Sequence, residues 1–327
     1  MRPDVHYRSF APGDADRIVT LIAAGLPADP VSPAWFTENV LLDPNFDRDG
    51  LIVAEETGVP EPRVVGFVYA VRGRGGAGIP VDPEGGWITI GTVHPDTRRQ
   101  GIGTELVTRA TAFLRERGAR WVNVSGYPPA YFLPGLDADA YPDGLRLLEA
   151  QGFRTLYRPV AMDLGLATYR TPDAVAKRRL ERESEGYTFA PATPDDLPEV
   201  IVFAAADLAP DWGEAIRESV VRHGRPDRVV VVRDPDRTVV GFATYGAYRG
   251  LMERFGPFGV APTQRGLGLG KILLHTTLAR MRAEGAHSAW FLWTGADSPA
   301  GRLYVDAGFA VTRTFHVLQA EIEPADQ

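Results

Sequence analysis

Arg265-Gly266-Leu267-Gly268-Leu269-Gly270 leads from a strand-like segment into an amphipathic helix, and Arg98-Arg99-Gln100-Gly101-Ile102-Gly103 does the same earlier in the chain. A glycine-rich strand-to-helix turn leaves backbone N–H groups free at the positive end of a helix, a combination that binds phosphate or pyrophosphate. Two turns of one design predict two copies of one ligand-binding module.

The likeness extends outward from the glycines, which separates a duplicated domain from two chance turns. Tyr7-Arg8-Ser9-Phe10-Ala11-Pro12 precedes a helical stretch from Asp14 to Ile22, and Tyr187-Thr188-Phe189-Ala190-Pro191 precedes one from Asp195 to Phe203. Two β-branched hairpins follow: Leu51-Ile52-Val53-Ala54 with Val64 to Val71, and Val229-Val230-Val231-Val232 with Val239 to Tyr245. A third strand then enters each turn. Beyond it, Leu106, Ala110, Phe113 and Leu114 share one helical face, as do Leu274, Leu278 and Met281. Gly118 and Gly285 stop these helices. A strand follows at Trp121 to Ser125 or Ala289 to Trp293, then a short helix ending in Gly152-Phe153 or Gly308-Phe309, then a last strand.

Gly103 and Gly270 lie 167 residues apart, whereas Gly152 and Gly308 lie 156 apart, so the first repeat carries 11 extra residues around the loop from Tyr127 to Asp143. Ala167 to Glu185 is charged and turn-rich, and the expected domains are 1–166 and 186–327 with 167–185 as linker. A chain of 327 residues is comfortable for two domains of roughly 160 residues each. A net charge of −7 argues against a general nucleic-acid binder, which needs a basic field. The absence of cysteine excludes disulfides, thiolate nucleophiles and cysteine-based zinc sites, and no metal site is expected. Met1-Arg2-Pro3-Asp4-Val5-His6 lacks an apolar signal core, and no run reaches the ~18 to 20 apolar residues of a membrane span. The expectation is a cytoplasmic protein without membrane association.

A dinucleotide fingerprint needs G-x-G-x-x-G early in a βαβ unit, but the second turn follows three or four strands and the first has only two of the glycines. A P-loop needs Ser or Thr after Gly-Lys, and Ile272 follows Gly270-Lys271, so no magnesium-holding hydroxyl is present. What remains is R-x-x-G-x-G between the fourth strand and the third helix. With its flanking strand, helix and later Gly-Phe, all present twice, it makes nearly the entire chain resemble the GNAT superfamily of acyl-CoA-dependent N-acyltransferases.

The resemblance implies an α/β (α+β) chain of two tandem GNAT-like domains, each a mixed, mostly antiparallel, splayed β-sheet flanked by helices. The tandem arrangement is similar to that of the mycothiol synthases, in which the C-terminal domain is the active one. Acetyl-CoA is the implied cofactor. Its pyrophosphate would rest on the turn residues Arg98, Arg99, Gln100, Gly101, Ile102 and Gly103, and on Arg265, Gly266, Leu267, Gly268, Leu269, Gly270 and Lys271. Its pantetheine would pair with exposed strand backbone at Thr92 and Val93, and at Phe258, Gly259 and Val260. The basic side chains Arg98, Arg99, Arg265 and Lys271 read equally as phosphate contacts and as solvated surface cations.

Acyl transfer from a thioester to an amine needs a neutral amine, a stabilised oxyanion and a hydrogen bond or proton for the departing sulfur. With a free amine pKa near 10.4, deprotonation at pH 7 costs about 4.6 kcal/mol, which a base or water chain offsets. Alignment on Gly-Phe sets Arg302-Leu303-Tyr304-Val305-Asp306-Ala307-Gly308-Phe309 against Arg146-Leu147-Leu148-Glu149-Ala150-Gln151-Gly152-Phe153. By resemblance Tyr304 is the general acid, and Leu148 replaces it in the first repeat, which favours the C-terminal domain as the catalyst. Glu253, in the strand before the second turn, is the candidate base by resemblance and equally a solvent-facing glutamate; His287 and Asp297 are weaker alternatives. A backbone N–H near Val260 would meet the oxyanion. The first repeat binds CoA without turnover, caps the other domain, or draws another proton donor from Tyr127, Tyr131 or Tyr141. Phe291 and Trp293 can share a strand face, as core or substrate wall, and Asp211-Trp212-Gly213 precedes the region where the family admits its acceptor.

The expected function is an N-acetyltransferase that moves an acetyl group from acetyl-CoA to a primary amine of a small molecule or peptide. Attack is direct, in a ternary complex, because no cysteine exists to form an acyl-enzyme. The alternative is a non-catalytic acyl-CoA-binding sensor or regulatory module. Neither the acceptor nor the oligomeric state is encoded in a short motif.

Overall fold

A computed structural model of the chain describes residues 4–73, 82–127 and 131–322. Part of the loop expected to hold the first repeat's extra residues, 128–130, and the chain start at 1–3 lie outside the described residues. In chain order the first repeat forms β1 (Val5–Ser9), α1 (Asp14–Gly25), α2 (Pro33–Phe36), β2 (Leu51–Glu56), β3 (Arg63–Val71), β4 (Gly85–Val93), α3 (Ile102–Glu116), β5 (Trp121–Val124), α4 (Pro142–Ala150) and β6 (Arg154–Tyr157). Next come β7 (Val160–Gly165) and α5 (Asp173–Ser184). The second repeat forms β8 (Thr188–Pro191), α6 (Leu197–Phe203), α7 (Pro210–His223), β9 (Val229–Arg233), β10 (Val239–Tyr245), β11 (Phe255–Val260), α8 (Leu269–Ala283), β12 (Ser288–Thr294), α9 (Pro299–Asp306), β13 (Ala310–Thr314) and β14 (Val317–Glu321).

The first compact unit is a seven-stranded sheet in the order β1-β2-β3-β4-β5-β14-β6. β3 is apolar on both faces because helices cover both: α1 packs on it from one side and α3 from the other. Ile102, Leu106, Val107, Ala110, Phe113 and Leu114 form the buried stripe of α3 at helical spacing. Gly66 in β3 admits this helix closely, since a Cβ there would meet Leu106 at 3.0 Å and Ile102 at 3.2 Å. Arg8 in β1 holds Asp14 through two bonds of 2.6 and 2.9 Å and reaches Glu55 at 2.9 Å, clamping α1 to the edge strands.

The second unit carries two sheets, β11-β10-β9-β8 and β12-β7-β13, so β11 and β12 are not laddered together. Its core runs from the valines of β9 and β10 to Leu269, Ile272, Leu273, Leu274, Leu278 and Met281 of α8. His275 lies on the same helix, 1% exposed, with Nδ1 2.5 Å from the Tyr169 hydroxyl and its ring stacked on that of Tyr169. Desolvation, aided by Lys271, pushes its pKa down to about 4.

Two strands fall outside the sequence ranges expected for their halves. β7, within 1–166, pairs antiparallel with β12 from Ser288↔Gly165 to Thr294↔Val160. β14, within 186–327, pairs with β5 from Leu318↔Val124 to Glu321↔Trp121 and with β6. The first unit thus ends at Pro159 and takes in the chain again from Thr314, while the second runs from Val160 to Arg313. Each repeat's last strand is legible in the sequence, but the sheet it joins is not, because a short apolar run fits either. The linker also differs from expectation: 167–185 contains the twelve-residue helix α5, whose single buried residue, Val175, gives no apolar stripe to read.

A fragment of residues 167–327 lacks β7, the middle strand of its three-stranded sheet, and leaves β14 without its partners. It is expected to aggregate or remain unfolded by circular dichroism, although it contains every element of the second repeat proper. Stability of the intact chain should fall as pH drops from about 6.5 toward 4. The folded His275 resists protonation there while the unfolded one accepts it, so the unfolded state binds more protons. Thermal unfolding of His275→Gln should show a shallower slope, the remainder coming from His316, which burial also pushes down, while carboxylates such as Asp196, held down to about 2 by Thr193 and Arg233, act at lower pH.

Candidate active site

In the second repeat β11 ends at Val260, a short 3-10 turn crosses Pro262–Gln264, and α8 begins at Leu269. Gly266 and Gly268 adopt φ +85° and +78°, a left-handed conformation that costs an L-residue about 1–2 kcal/mol. The N–H groups of Leu269, Gly270 and Lys271 have no intrahelical acceptor, and the first turn of α8 carries no acidic residue. Tyr187 donates its hydroxyl to Gln264 Oε1 at 3.0 Å, which pins the turn. Arg265 and Lys271 are exposed and in no ion pair among the described residues. Free amides, a positive helix end and two unengaged cations fit an anionic phosphate ligand.

The first repeat has the same backbone and different surroundings. Gly101, at φ +87°, caps α3. Arg98, however, donates Nε to Val93 O at 3.1 Å and a second bond to Gly25 O at 2.8 Å. Arg99 is held by Asp143 Oδ1 at 2.7 Å, an oxygen that also meets Arg146. Leu147 crowds the helix start, 3.0 Å from where a Cβ on Gly103 would lie. Both arginines of this turn are therefore engaged within the unit.

The strand preceding each turn differs in the same sense. β4 keeps a parallel ladder to β5 from Gly85↔Trp121 to Ile88↔Val124 and separates only beyond it, toward Thr92 and Val93. β11 meets β12 at one bridge, Arg254↔Trp290, where Trp290 N donates to Glu253 O at 2.9 Å. On its other edge β11 pairs with β10, Gly241↔Val260, Phe242↔Gly259 and Ala243↔Phe258. Ala261 N bonds Val240 O at 2.8 Å, so antiparallel alternation turns the N–H and C=O of Val260, and of Phe258, toward the open edge. In β4 the matching carbonyl, Val93 O, already accepts the Arg98 bond.

Tyr304, on α9, stands behind this opening. Its ring lies 4.4 Å from Phe291, 5.5 Å from Phe309 and 6.0 Å from both Phe255 and Phe258. Burial alone raises its pKa, and neither a charge nor a hydrogen bond offsets the shift. Phe291 is thus buried wall around Tyr304, while Trp290 faces the Arg254 guanidinium at 5.5 Å. Leu148 is buried at the corresponding place of the first repeat.

Glu253 is not in the strand, as the sequence suggests, but in the turn before β11, two residues ahead of Phe255. Arg254 and the bridge to Trp290 end regular pairing there and start the strand later. His287 and Asp297 are exposed, and His287 uses its carbonyl to receive Leu166 N at 2.7 Å. In the first repeat the Tyr127 hydroxyl donates to buried Asp43 at 2.9 Å and the Tyr141 hydroxyl to Asp29 at 2.7 Å. Tyr131 is half-buried.

The opposite face of β11 carries residues that sequence reasoning gave little weight. A Cβ on Gly259 would meet Leu208 at 2.6 Å and Trp212 at 3.2 Å, so the glycine lets both side chains lie against the strand. Asp211, in the first turn of α7, is half-buried; burial raises its pKa and no cation acts on it. The triplet Asp211-Trp212-Gly213 marked the place, but only the packing on Gly259 ties it to β11.

The family model for the acetyltransferase (GNAT) family matches residues 21–127 and again 197–309. Among curated relatives, the mycothiol acetyltransferase of Actinosynnema mirum is 24% identical over 93% of this chain and 95% of its own. That of Mycolicibacterium gilvum is 24% identical over 98% of both. Among solved structures, a GCN5-related N-acetyltransferase from Sphaerobacter thermophilus aligns with a TM-score of 0.70 at 21% identity, covering 100% of this chain and 98% of that one. A tandem GNAT protein from the clavulanic acid biosynthesis pathway aligns at 0.64 and 18% identity, covering 99% and 100%. No helix among the described residues is long and apolar enough to cross a membrane.

Gly268→Ala is expected to lose about 1–2 kcal/mol of stability from left-handed strain and to weaken CoA binding in calorimetry. Gly101→Ala should lose comparable stability and leave the CoA isotherm unchanged. Loss of affinity in Gly101→Ala alone would move the ligand to the first repeat.

Proposed function

The chain belongs to the acetyltransferase (GNAT) family, and from that premise we propose that its second repeat moves the acetyl group of acetyl-CoA to a primary amine of a small molecule or peptide. The observation that carries this reading is the pairing gap along β11 with Tyr304 directly behind it, where the first repeat has a closed ladder start and Leu148. Acetyl-CoA supplies the activated acyl group as a thioester.

The protein's own groups divide the remaining work. The amides of Leu269, Gly270 and Lys271, with Arg265 and Lys271, hold the diphosphate, and the open edge at Phe258 and Val260 pairs with the pantetheine amides. Val260 N–H, facing the gap, is positioned for the oxyanion. Tyr304 stays protonated because burial raises its pKa. A phenol less acidic than a thiol of pKa about 8.5 donates a hydrogen bond to the departing sulfur instead of surrendering its proton. The C–N bond forms as C–S breaks; the proton leaving the nitrogen passes to a protein base and from it, through solvent, to the thiolate, so CoA leaves as the thiol and the base is restored.

Asp211 is assigned to take the amine's proton: its raised pKa makes it a stronger base, and its neighbour Trp212 lies on the face of β11 away from α8. The first repeat is assigned a non-catalytic part, since both arginines of its turn are engaged and Leu148 carries no hydroxyl.

Thiol release from acetyl-CoA across a panel of primary amines tests the activity. Tyr304→Phe, which keeps the ring in its aromatic surroundings, is expected to lower kcat by about 10²-fold with CoA affinity nearly unchanged. CoA binding without thiol release from any amine would instead support an acyl-CoA sensor, and an unaltered rate in Tyr304→Phe would remove that residue from the mechanism.

A further inference from the structure

The second glycine turn is approached by a side chain from outside the repeated module. α5 belongs to the second unit and docks against α8 through its buried Val175. One helical turn further along, Arg178 extends toward the start of α8: a Cβ on Gly268 would lie 3.7 Å from Arg178 Cγ. The aliphatic stem therefore lies beside the helix cap, one side-chain length from the amides of Leu269, Gly270 and Lys271. Its ion pair is with Glu181 at 3.4 Å, an i,i+3 contact with the arginine side chain 53% exposed. Such an exposed pair holds an arginine weakly and leaves it free to turn to a stronger partner.

We propose that Arg178 is a third cationic ligand of the CoA diphosphate at this turn, supplied by the helix that precedes the second repeat. The proposal rests on the reading of Arg265 to Lys271 as the diphosphate seat. Arg265 and Lys271 form no ion pair among the described residues, so Arg178 would complete a cluster of three cations around free amides in a chain whose net charge is −7. An arginine suits this place because its planar fork gives two parallel N–H bonds to phosphate oxygens, which an ammonium does not. The first repeat has no counterpart: nothing lies within 4 Å of a Cβ on Gly101, and its own arginines are directed to backbone carbonyls and Asp143. Nothing in the glycine motif itself announces Arg178, which lies 87 residues before Arg265.

The test is calorimetric titration of the whole chain with CoA and with 3′-dephospho-CoA, comparing wild type, Arg178→Gln and Arg178→Lys. Gln keeps the stem against Gly268 and removes the charge, so thermal midpoints should stay together. Arg178→Gln is expected to weaken both ligands equally, by about 5- to 20-fold, and Arg178→Lys to restore part of that loss. Unchanged affinity in Arg178→Gln, with wild type binding normally, would overturn the role of Arg178. A loss seen with CoA but not with the dephospho form would place Arg178 on the 3′-phosphate and overturn the diphosphate assignment. A wild type that binds neither ligand would sink the reading of the turn itself.

Discussion

Between β11 and β12 main-chain pairing shrinks to a single bridge, and the second unit is organised around that gap. Backbone N–H and C=O groups are costly to leave unpaired where water is excluded, so an open strand edge inside a domain calls for a partner. At Phe258 and Val260 these groups face the gap, with a glycine turn at one end and a phenol behind. A ligand bearing amides along its length and phosphates at one end would complete this arrangement. The family to which the chain belongs takes such a ligand as co-substrate.

The two repeats show how one backbone plan diverges through a few side chains. Arg98 fills the carbonyl of Val93, Asp143 holds Arg99, and Leu148 stands where Tyr304 stands in the other copy. Each change is local, and none disturbs the hairpins or the long helix after the turn. The sheets also exchange their closing strands in sequence terms, β14 lying between β5 and β6, and β7 between β12 and β13. Duplication therefore did not leave two independent beads: each sheet is completed by a segment from beyond the other repeat's Gly-Phe helix.

The glycine turns, both hairpins, the helices after the turns and the strand before each Gly-Phe helix were all legible, because period and punctuation report directly on backbone geometry. β2, β3, β9 and β10 lie where their β-branched runs placed them. The strand exchange was not legible, since apolar runs such as Val160 to Leu164 specify a buried strand without naming its neighbour. α5 was hidden because a charged helix with one buried residue has no stripe. Within the site, Tyr304 is named only through the family resemblance, by alignment on Gly-Phe. Glu253 was misplaced by the late start of β11, and Asp211 and Arg178 depend on tertiary packing against Gly259 and Gly268 that no local pattern records.

The most direct measurement is a crystal structure of the intact chain grown with saturating CoA. The account predicts ligand density along the open edge of β11, with the diphosphate on the amides of Leu269 to Lys271 and the sulfur toward Tyr304. Density confined to the Gly101–Gly103 turn, or none in either repeat despite saturating ligand, would contradict it.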